Sequence, residues 1–153
     1  MRAPHRILLT PAFGLLFLLA TVVVPTAATA QETQDTMKLA APLRTARAAL
    51  SAAYTALNGQ EASRSFSDSA VVDFQGQVFT GRPAVQEWLS GALQGLSSIR
   101  FGTPSFTVAE TEVTERTGYT VVTTDGTEQG GSTEATWRRQ ADGSWKIVRL
   151  TVS

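Results

Sequence analysis

The sequence predicts a single α+β domain, and three observations lead to this fold class. Apolar residues recur at spacings of three and four in two segments before residue 96, which is the period of an amphipathic helix. From Ile99 onward, segments rich in Val, Thr and aromatic residues alternate with Gly-containing turns, which is typical of β-strands. Residues 31–153, the part that follows an apolar leader, number 123 and suffice for one core.

Three helices are predicted in the first half of the domain. The first begins at Pro42, ends at Asn58-Gly59 and buries the face Leu43, Ala46, Leu50, Ala53, Tyr54 and Leu57. Gln60 to Phe66 is expected to form a short helix that buries Phe66. The third begins at Arg82-Pro83, ends at Gly95 and buries Val85, Trp88, Leu89, Ala92 and Leu93.

Six strands complete the predicted order α-α-β-β-α-β-β-β-β. Val71 to Phe74 and Gln77 to Thr80 are expected to form a hairpin around Gln75-Gly76. The remaining strands are predicted at residues 99–108, bent near Gly102 and Pro104, and at 113–124, 133–140 and 145–152. Gly130-Gly131 is expected to lie in a loop, and Asp142-Gly143 in a turn.

Residues 1–30 have the pattern of a secretory signal peptide. Arg2 and Arg6 make a basic start, an apolar run follows, and Ala28-Thr29-Ala30 is a small-residue cleavage site. An uncleaved anchor is the alternative, since the run is just long enough to cross a bilayer. We expect cleavage, export to the periplasm or the extracellular space, no stable membrane span afterwards, and a flexible lead-in over residues 31–38.

The composition after cleavage excludes several kinds of chemistry. Removing Arg2 and Arg6 leaves eleven basic residues against thirteen acidic ones, so the net charge is −2 and nucleic-acid binding is not expected. The chain has no Cys, and its one His, His5, lies in the leader. Thiol nucleophiles, Ser-His-Asp triads and His-ligated zinc are therefore excluded. The acidic residues do not cluster at metal-ligand spacings, and no metal site or cofactor is predicted.

Two stretches carry a family resemblance. One is the strand-turn-strand-helix block from Ala70 to Leu89, and the other is the ending Trp137-Arg138-Arg139-Gln140-Ala141-Asp142-Gly143-Ser144-Trp145-Lys146-Ile147-Val148. In this order, over residues 39–153, they resemble the nuclear transport factor 2-like superfamily, with its SnoaL-like polyketide cyclases and ketosteroid isomerases. The resemblance implies a cone-shaped, mostly antiparallel curved sheet wrapped around about three helices, with a conical pocket.

Asp73 and Tyr54 are the candidate catalytic residues. Similar isomerases place a proton-transferring aspartate at the end of the first strand, where Asp73 stands, and apolar surroundings would raise its pKa. The alternative is a solvated Asp73 that caps the hairpin turn. In the same isomerases a tyrosine of the first helix donates a hydrogen bond to the oxyanion, and Tyr54 has a compatible place; the alternative is a core tyrosine. The second acid of ketosteroid isomerases is missing, because residues 132–136 offer only Glu134.

The other candidate residues would bind a ligand rather than react with it. Arg149 is assigned to the strand face of Trp145, Ile147 and Thr151, where it would bind a carboxylate or phosphate, or else pack its stem on Trp145 at the sheet margin. The expected walls of the pocket are aromatic: Phe74, Phe79, Trp88, Tyr119 and Trp137.

Three function classes remain open from the sequence. The first is an exported domain that binds a small, largely apolar ligand. The second is a cofactor-independent lyase or isomerase that uses Asp73 as base and Tyr54 as donor. The third is an interaction module that forms a homodimer through its open sheet face, as many members of the superfamily do.

Overall fold

The computed structural model describes residues 39–153, and the predicted signal peptide and lead-in lie outside these residues. The helices are α1 (Ala41–Thr55), α2 (Gly59–Ser63) and α3 (Arg82–Gln94). The strands are β1 (Phe66–Phe74), β2 (Gln77–Thr80), β3 (Leu96–Phe101), β4 (Ser105–Val108), β5 (Glu112–Thr123), β6 (Glu128–Arg139) and β7 (Trp145–Val152). The predicted α+β class is confirmed.

The strands form one mixed, mostly antiparallel sheet that curves around the helices. Its order is β2-β1-β7-β6-β5-β3, and β4 pairs with β5 beside β3. Only β1 and β7 pair in parallel among these strands. The long partners β5 and β6 form an antiparallel ladder from Glu112↔Arg138 to Val122↔Glu128. This ladder supplies the wall opposite α1.

The helices begin and end for local reasons that the sequence contains. Proline occupies the first turn of both α1 and α3, where its missing N–H costs no helical hydrogen bond. The Asn58 side chain caps α2 by accepting from the Glu61 N–H at 3.0 Å. Gly59 lets α2 approach α3 closely, because a Cβ there would lie 2.5 Å from the Ser90 backbone nitrogen.

The hydrophobic core lies between the concave sheet face and the helices. It combines residues of all three helices and four strands, and its fully buried large members include Leu43, Phe66, Val72, Val85, Leu89, Trp137 and Ile147. Partly buried residues extend this core toward open space inside the cone: Leu50, Tyr54, Phe74, Phe79, Trp88, Phe106 and Tyr119.

Three details of the predicted elements differ from the structure. Phe66 begins β1 instead of ending the second helix, so the first strand starts five residues earlier than predicted. Gly102–Pro104 divides the predicted strand 99–108 into β3 and β4. Gly130 and Gly131 lie within β6, not in a loop. The reason is steric, since a Cβ on Gly131 would lie 2.6 Å from the Tyr119 hydroxyl oxygen of the neighbouring strand.

Candidate functional site

The inside of the cone contains two adjoining cavities. The first, called here the aromatic cavity, has a volume of about 380 Å³. Its wall has no charged side chain and is formed by Tyr54, Phe74, Gln75, Trp88, Leu89, Ala92, Leu93, Leu96, Ile99, Phe101, Tyr119, Val121, Gln129, Gly130, Thr133, Leu150 and Val152. A wall of this kind suits an uncharged ligand, because an ion placed in it would lose its hydration without a partner.

The second, called here the arginine cavity, has a volume of about 270 Å³. It is lined by Arg47, Leu50, Ser51, Tyr54, Phe101, Gly102, Pro104, Glu115, Thr117, Thr133, Ala135, Trp137, Ile147 and Leu150. Tyr54, Phe101, Thr133 and Leu150 line both cavities. The two spaces therefore meet at the Tyr54 and Phe101 rings, whose centroids are 5.3 Å apart.

Tyr54 supplies a polar group at this meeting point. Its hydroxyl makes no hydrogen bond to any other residue in the range 39–153. Burial raises the pKa of Tyr54 well above its usual value, and the nearby negative charge of Glu115 raises it further. Tyr54 is therefore protonated at neutral pH and can donate a hydrogen bond to a ligand in either cavity.

Glu115 is the carboxylate of the arginine cavity, and protein N–H groups occupy both of its oxygens. Oε1 accepts from Arg47 Nη2 at 2.6 Å, and Oε2 accepts from Arg47 Nε at 2.9 Å. Oε2 also accepts from Trp137 Nε1 at 2.9 Å. Such a bidentate, charge-assisted pair is well oriented and electrically neutral as a unit. A carboxylate with three donors is a poor candidate for a general base.

Arg47 is held in place by more than its ion pair. Its guanidinium carbon lies 4.6 Å from the centroid of the Phe106 ring, a cation–π contact. Arg47 Nη1 makes no hydrogen bond to any residue between 39 and 153. Arg47 thus combines a fixed guanidinium plane with a donor nitrogen, Nη1, that residues 39–153 leave unused.

Aromatic side chains pack around Trp88 at one side of the cone. Its ring centroid lies 5.7 Å from that of Phe74 in a tilted arrangement and 5.6 Å from that of Phe79 in a stacked one. Phe74, Trp88 and Tyr119 line the aromatic cavity, while Phe79 supports Trp88 from outside the lining set. Trp137 is fully buried and belongs to the arginine cavity.

Asp73 does not meet Tyr54 in a shared pocket. Its neighbours Val72 and Phe74 face the inside of the cone, so the alternation of β1 turns Asp73 to the other face. Asp73 Oδ1 accepts from the Gly76 N–H at 2.8 Å, and Asp73 lines neither cavity. The expectation that Asp73 points into the pocket is corrected by this geometry, which is that of the turn-capping alternative.

Arg149 does not face the cavities either. The pairing of β6 with β7 passes from Thr136↔Arg149 to Trp137↔Ile147, so Val148 is an extra residue and β7 has a bulge. The bulge reverses the alternation, and Arg149 becomes exposed on the outer face with Thr151. The prediction that Arg149 shares the face of Trp145 and Ile147 was therefore wrong.

The sequence interpretation missed Arg47 and Glu115. Arg47 stands seven residues before Tyr54, which is two helical turns, and so lies on the same side of α1. Glu115 occurs in an inward-facing row that is otherwise Val113, Thr117, Tyr119 and Val121. A carboxylate in an inward row needs a cation, and Arg47 on the inward side of α1 is a complementary signal.

The described residues hold no other obvious reactive centre. Within residues 39–153, no group of three or more Asp, Glu, His or Cys side chains could hold a metal ion. Over the same residues, every helix is too short or too polar to cross a membrane.

Comparisons with known proteins agree with this architecture. A protein-family model for the SnoaL-like domain matches residues 44–151. No curated protein matches the chain.

Solved structures of similar shape have low sequence identity. A protein of unknown function from Mycobacterium tuberculosis is 19% identical, with a TM-score of 0.62 and 73% of each chain covered. An NTF2-like protein with a cystatin-like fold from Novosphingobium aromaticivorans is 20% identical, with a TM-score of 0.62, covering 82% of this chain and 85% of the other. A ketosteroid isomerase-like protein from Erwinia carotovora atroseptica is 16% identical, with a TM-score of 0.61, covering 74% and 93%. The family match spans most of the chain, so the chain belongs to the SnoaL-like domain family, and it has the same fold as the NTF2-like and ketosteroid isomerase-like structures.

Proposed function

We propose that this domain binds a small, largely apolar and uncharged ligand in the aromatic cavity. The observation that carries the proposal is the wall of that cavity, which combines aromatic and aliphatic side chains with no charged group. Its volume of about 380 Å³ lies within the range of small-molecule sites. Trp88, Phe74 and Tyr119 offer flat surfaces against which a ring system packs.

A few polar groups would orient such a ligand. The Tyr54 hydroxyl is a protonated donor without a hydrogen-bond partner in residues 39–153. Gln75, Gln129 and Thr133 add amide and hydroxyl groups to the same wall. A ligand with one carbonyl or hydroxyl oxygen near Tyr54 would therefore be preferred over a plain hydrocarbon.

The proposal is tested by ligand capture and by titration. Protein purified from its native host is expected to carry a co-purifying small molecule that mass spectrometry detects after denaturation. The emptied protein is expected to bind Nile red, an uncharged fused-ring ketone, with a blue-shifted emission and a stoichiometry of one.

Two alanine-to-tryptophan substitutions distinguish binding in the aromatic cavity from binding elsewhere on the protein surface. Ala92 lines the aromatic cavity from α3, so Ala92→Trp is expected to fill it and to lower Nile red affinity by about tenfold or more. Ala48 is exposed on α1 and lines neither cavity, so Ala48→Trp is the matched control. Equal affinities for the two variants would contradict the proposal.

A lyase or isomerase activity is the second candidate function, and Tyr54 favours it. A protonated tyrosine next to an apolar cavity can stabilise an oxyanion, as in the mechanism that the family resemblance implies. The base proposed from the sequence, Asp73, has weaker support because it caps the Gly76 turn. Turnover of the co-purified molecule that is lost in Tyr54→Phe and kept in Asp73→Asn would establish catalysis without Asp73.

We also propose that the domain acts after export. The basic start, apolar run and small-residue site of residues 1–30 support cleavage and release into the periplasm or the extracellular space. Amino-terminal sequencing of the protein from the native host is expected to begin at or near Gln31. An intact leader found in the membrane fraction would contradict this proposal.

A homodimer that pairs the outer sheet faces is the remaining proposal. The support is the polar, strand-rich outer face of β5 and β6, which the helices leave uncovered. Light scattering of the processed protein at high concentration is expected to give twice the chain mass. A monomer mass under these conditions would rule the dimer out.

A further inference from the structure

We propose that the arginine cavity is a second ligand subsite, which takes an uncharged hydrogen-bond acceptor against Arg47. The ligand would then be an elongated neutral molecule, with its rings in the aromatic cavity and a ketone, ester or amide oxygen at the other end. This inference rests on the proposed binding function of the aromatic cavity and specifies the ligand class of that site.

The position of the two cavities favours an elongated ligand. They adjoin along four residues that line both, Tyr54, Phe101, Thr133 and Leu150, and the proposed ligand would span them past these side chains. Arg47 and Tyr54 are seven residues apart on α1, which separates them by about 10 Å along the helix axis. That length corresponds to two or three linearly arranged rings with a polar substituent.

The charge state of the arginine cavity selects a neutral group. Arg47 is the cation of the lining and Glu115 is its anion, and the two are paired at 2.6 Å. A carboxylate or phosphate on the ligand would approach Glu115 as well as Arg47, and a ligand amine would approach Arg47 as well as Glu115. In a partly buried site such like-charge contacts cancel much of the attraction.

The donor for the neutral group is already in position. Arg47 Nη1 has no hydrogen-bond partner within residues 39–153, whereas Nε and Nη2 are occupied by Glu115. The Glu115 oxygens and the Phe106 ring fix the guanidinium plane. A fixed donor loses little side-chain freedom when an acceptor arrives, which favours binding.

Three matched probes test the subsite by competition with Nile red. They are 2-phenylnaphthalene, the same hydrocarbon with a methyl ketone at the far end of the naphthalene, and the same hydrocarbon with a carboxylate there. The wild-type protein is expected to bind the ketone about fivefold more tightly than the hydrocarbon and about tenfold more tightly than the carboxylate.

The Glu115→Gln variant tests the subsite most directly, because it is expected to change the preference of the protein between the ketone and the carboxylate probe. It removes the negative charge and leaves Arg47 as an uncompensated cation, so the carboxylate probe is expected to gain about tenfold relative to the ketone. Glu112→Gln is the control, because Glu112 is also on β5 but pairs with Arg138 on the outer face. It is expected to leave the order of the three probes unchanged.

Arg47→Lys keeps the inference testable if Glu115→Gln fails to fold. Lysine still neutralises Glu115 but lacks the planar guanidinium with its fixed N–H donors. The affinity of the ketone probe is therefore expected to fall about threefold to tenfold, while the affinity of the hydrocarbon probe stays unchanged. Binding with unchanged preferences in the folded variants would overturn this inference and leave the aromatic cavity as the binding site. Failure of the wild-type protein to bind any of the probes and Nile red would overturn both proposals.

Discussion

Strand β5 carries arginine–glutamate pairs on both of its faces, and the pairs have different surroundings. On the inner face, Glu115 binds Arg47 of α1, and their side chains are only 13% and 21% exposed. On the outer face, the next residue, Arg116, binds Glu134 of β6, and those side chains are 57% and 46% exposed. Arg138 and Glu112 form a similar outer pair at 2.5 Å.

The comparison shows that the same two residue types have different roles on the two faces. The outer pairs join neighbouring strands in water, where solvent and salt weaken their attraction. The inner pair joins a helix to the sheet, includes Trp137 Nε1 and lines a cavity. Little water reaches the inner pair to solvate one charge when the other is removed. Substitution of the inner pair is therefore expected to lower stability more than substitution of an outer pair.

Removal of the inner cation should have the largest effect on stability. Arg47→Met leaves the Glu115 carboxylate partly buried with Trp137 as its remaining donor. We expect a loss of about 2–3 kcal/mol in the free energy of unfolding, somewhat below the usual cost for a fully buried pair. Urea denaturation followed by circular dichroism would measure it.

The double variant Arg47→Met/Glu115→Gln is the control for that prediction. It removes the unpaired charge, while the amide oxygen of the introduced glutamine can still accept from Trp137 Nε1, so part of the lost stability should return. A double variant that is no more stable than Arg47→Met would show that the orphaned charge of Glu115 does not account for the lost stability.

The glycines of the β5–β6 ladder give the second prediction. A Cβ on Gly131 would meet the Tyr119 hydroxyl oxygen at 2.6 Å and would contact the Ser153 carbonyl oxygen even more closely. Gly131→Ala should therefore cost about 1–3 kcal/mol of unfolding free energy and displace the Tyr119 ring from the aromatic cavity.

Gly118→Ala is the matched substitution on the neighbouring strand. Its Cβ would meet the nearest atom, the Gly131 carbonyl oxygen, at 3.7 Å, an ordinary contact. Chemical denaturation should give a change within about 0.5 kcal/mol of the wild type. Equal losses for the two alanine variants would mean that Gly131 does not serve to accommodate Tyr119.

The elements with a clear local pattern were predictable from the sequence. Pro42 and Pro83 define the starts of the long helices, and the apolar spacings of α1 and α3 identify their buried faces. The hairpin and β7 are bounded by glycine turns. Because these features depend on a few neighbouring residues, they can be identified from the sequence before the fold is known.

The orientation of the candidate site residues was less predictable. Arg149 was placed on the wrong face because the bulge at Val148 depends on how β7 pairs with β6. Gly131 resembles a loop residue until Tyr119 of the next strand is placed beside it. Arg47 and Glu115 each have an inward position that the sequence pattern could indicate, but they are 68 positions apart, and only the fold shows that they meet. Tyr54 was identified because the family resemblance implies a tyrosine on the first helix and the helical spacing of Tyr54 places it on the buried face.

Alkaline pH should reveal the enclosed setting of Tyr54. Its pKa is raised in the folded protein, so above a pH of about 10 the unfolded chain loses this proton first. Folded protein then binds more protons than unfolded protein, and stability falls as pH rises. The unfolding free energy of the wild type should fall by about 1.4 kcal/mol per pH unit more steeply than that of Tyr54→Phe. Equal slopes from denaturation series above pH 10 would contradict this prediction.

The outer pair should show the smallest effect. In the monomer, at protein concentrations below those at which the proposed homodimer would form, Arg116→Met removes the partner of Glu134 from a face where water solvates the remaining carboxylate. The expected loss is about 0.5 kcal/mol. Because the Arg116–Glu134 pair is exposed to solvent, salt screens its attraction. Raising the ionic strength to about 1 M should therefore remove most of the difference in unfolding free energy between Arg116→Met and the wild type. The loss of unfolding free energy in Arg47→Met should persist at the same ionic strength, because the partly buried Glu115 carboxylate is screened less. Urea titrations of both variants in low and high salt would compare them directly, and a salt-sensitive deficit in Arg47→Met would mean that solvent reaches the inner pair as freely as the outer one.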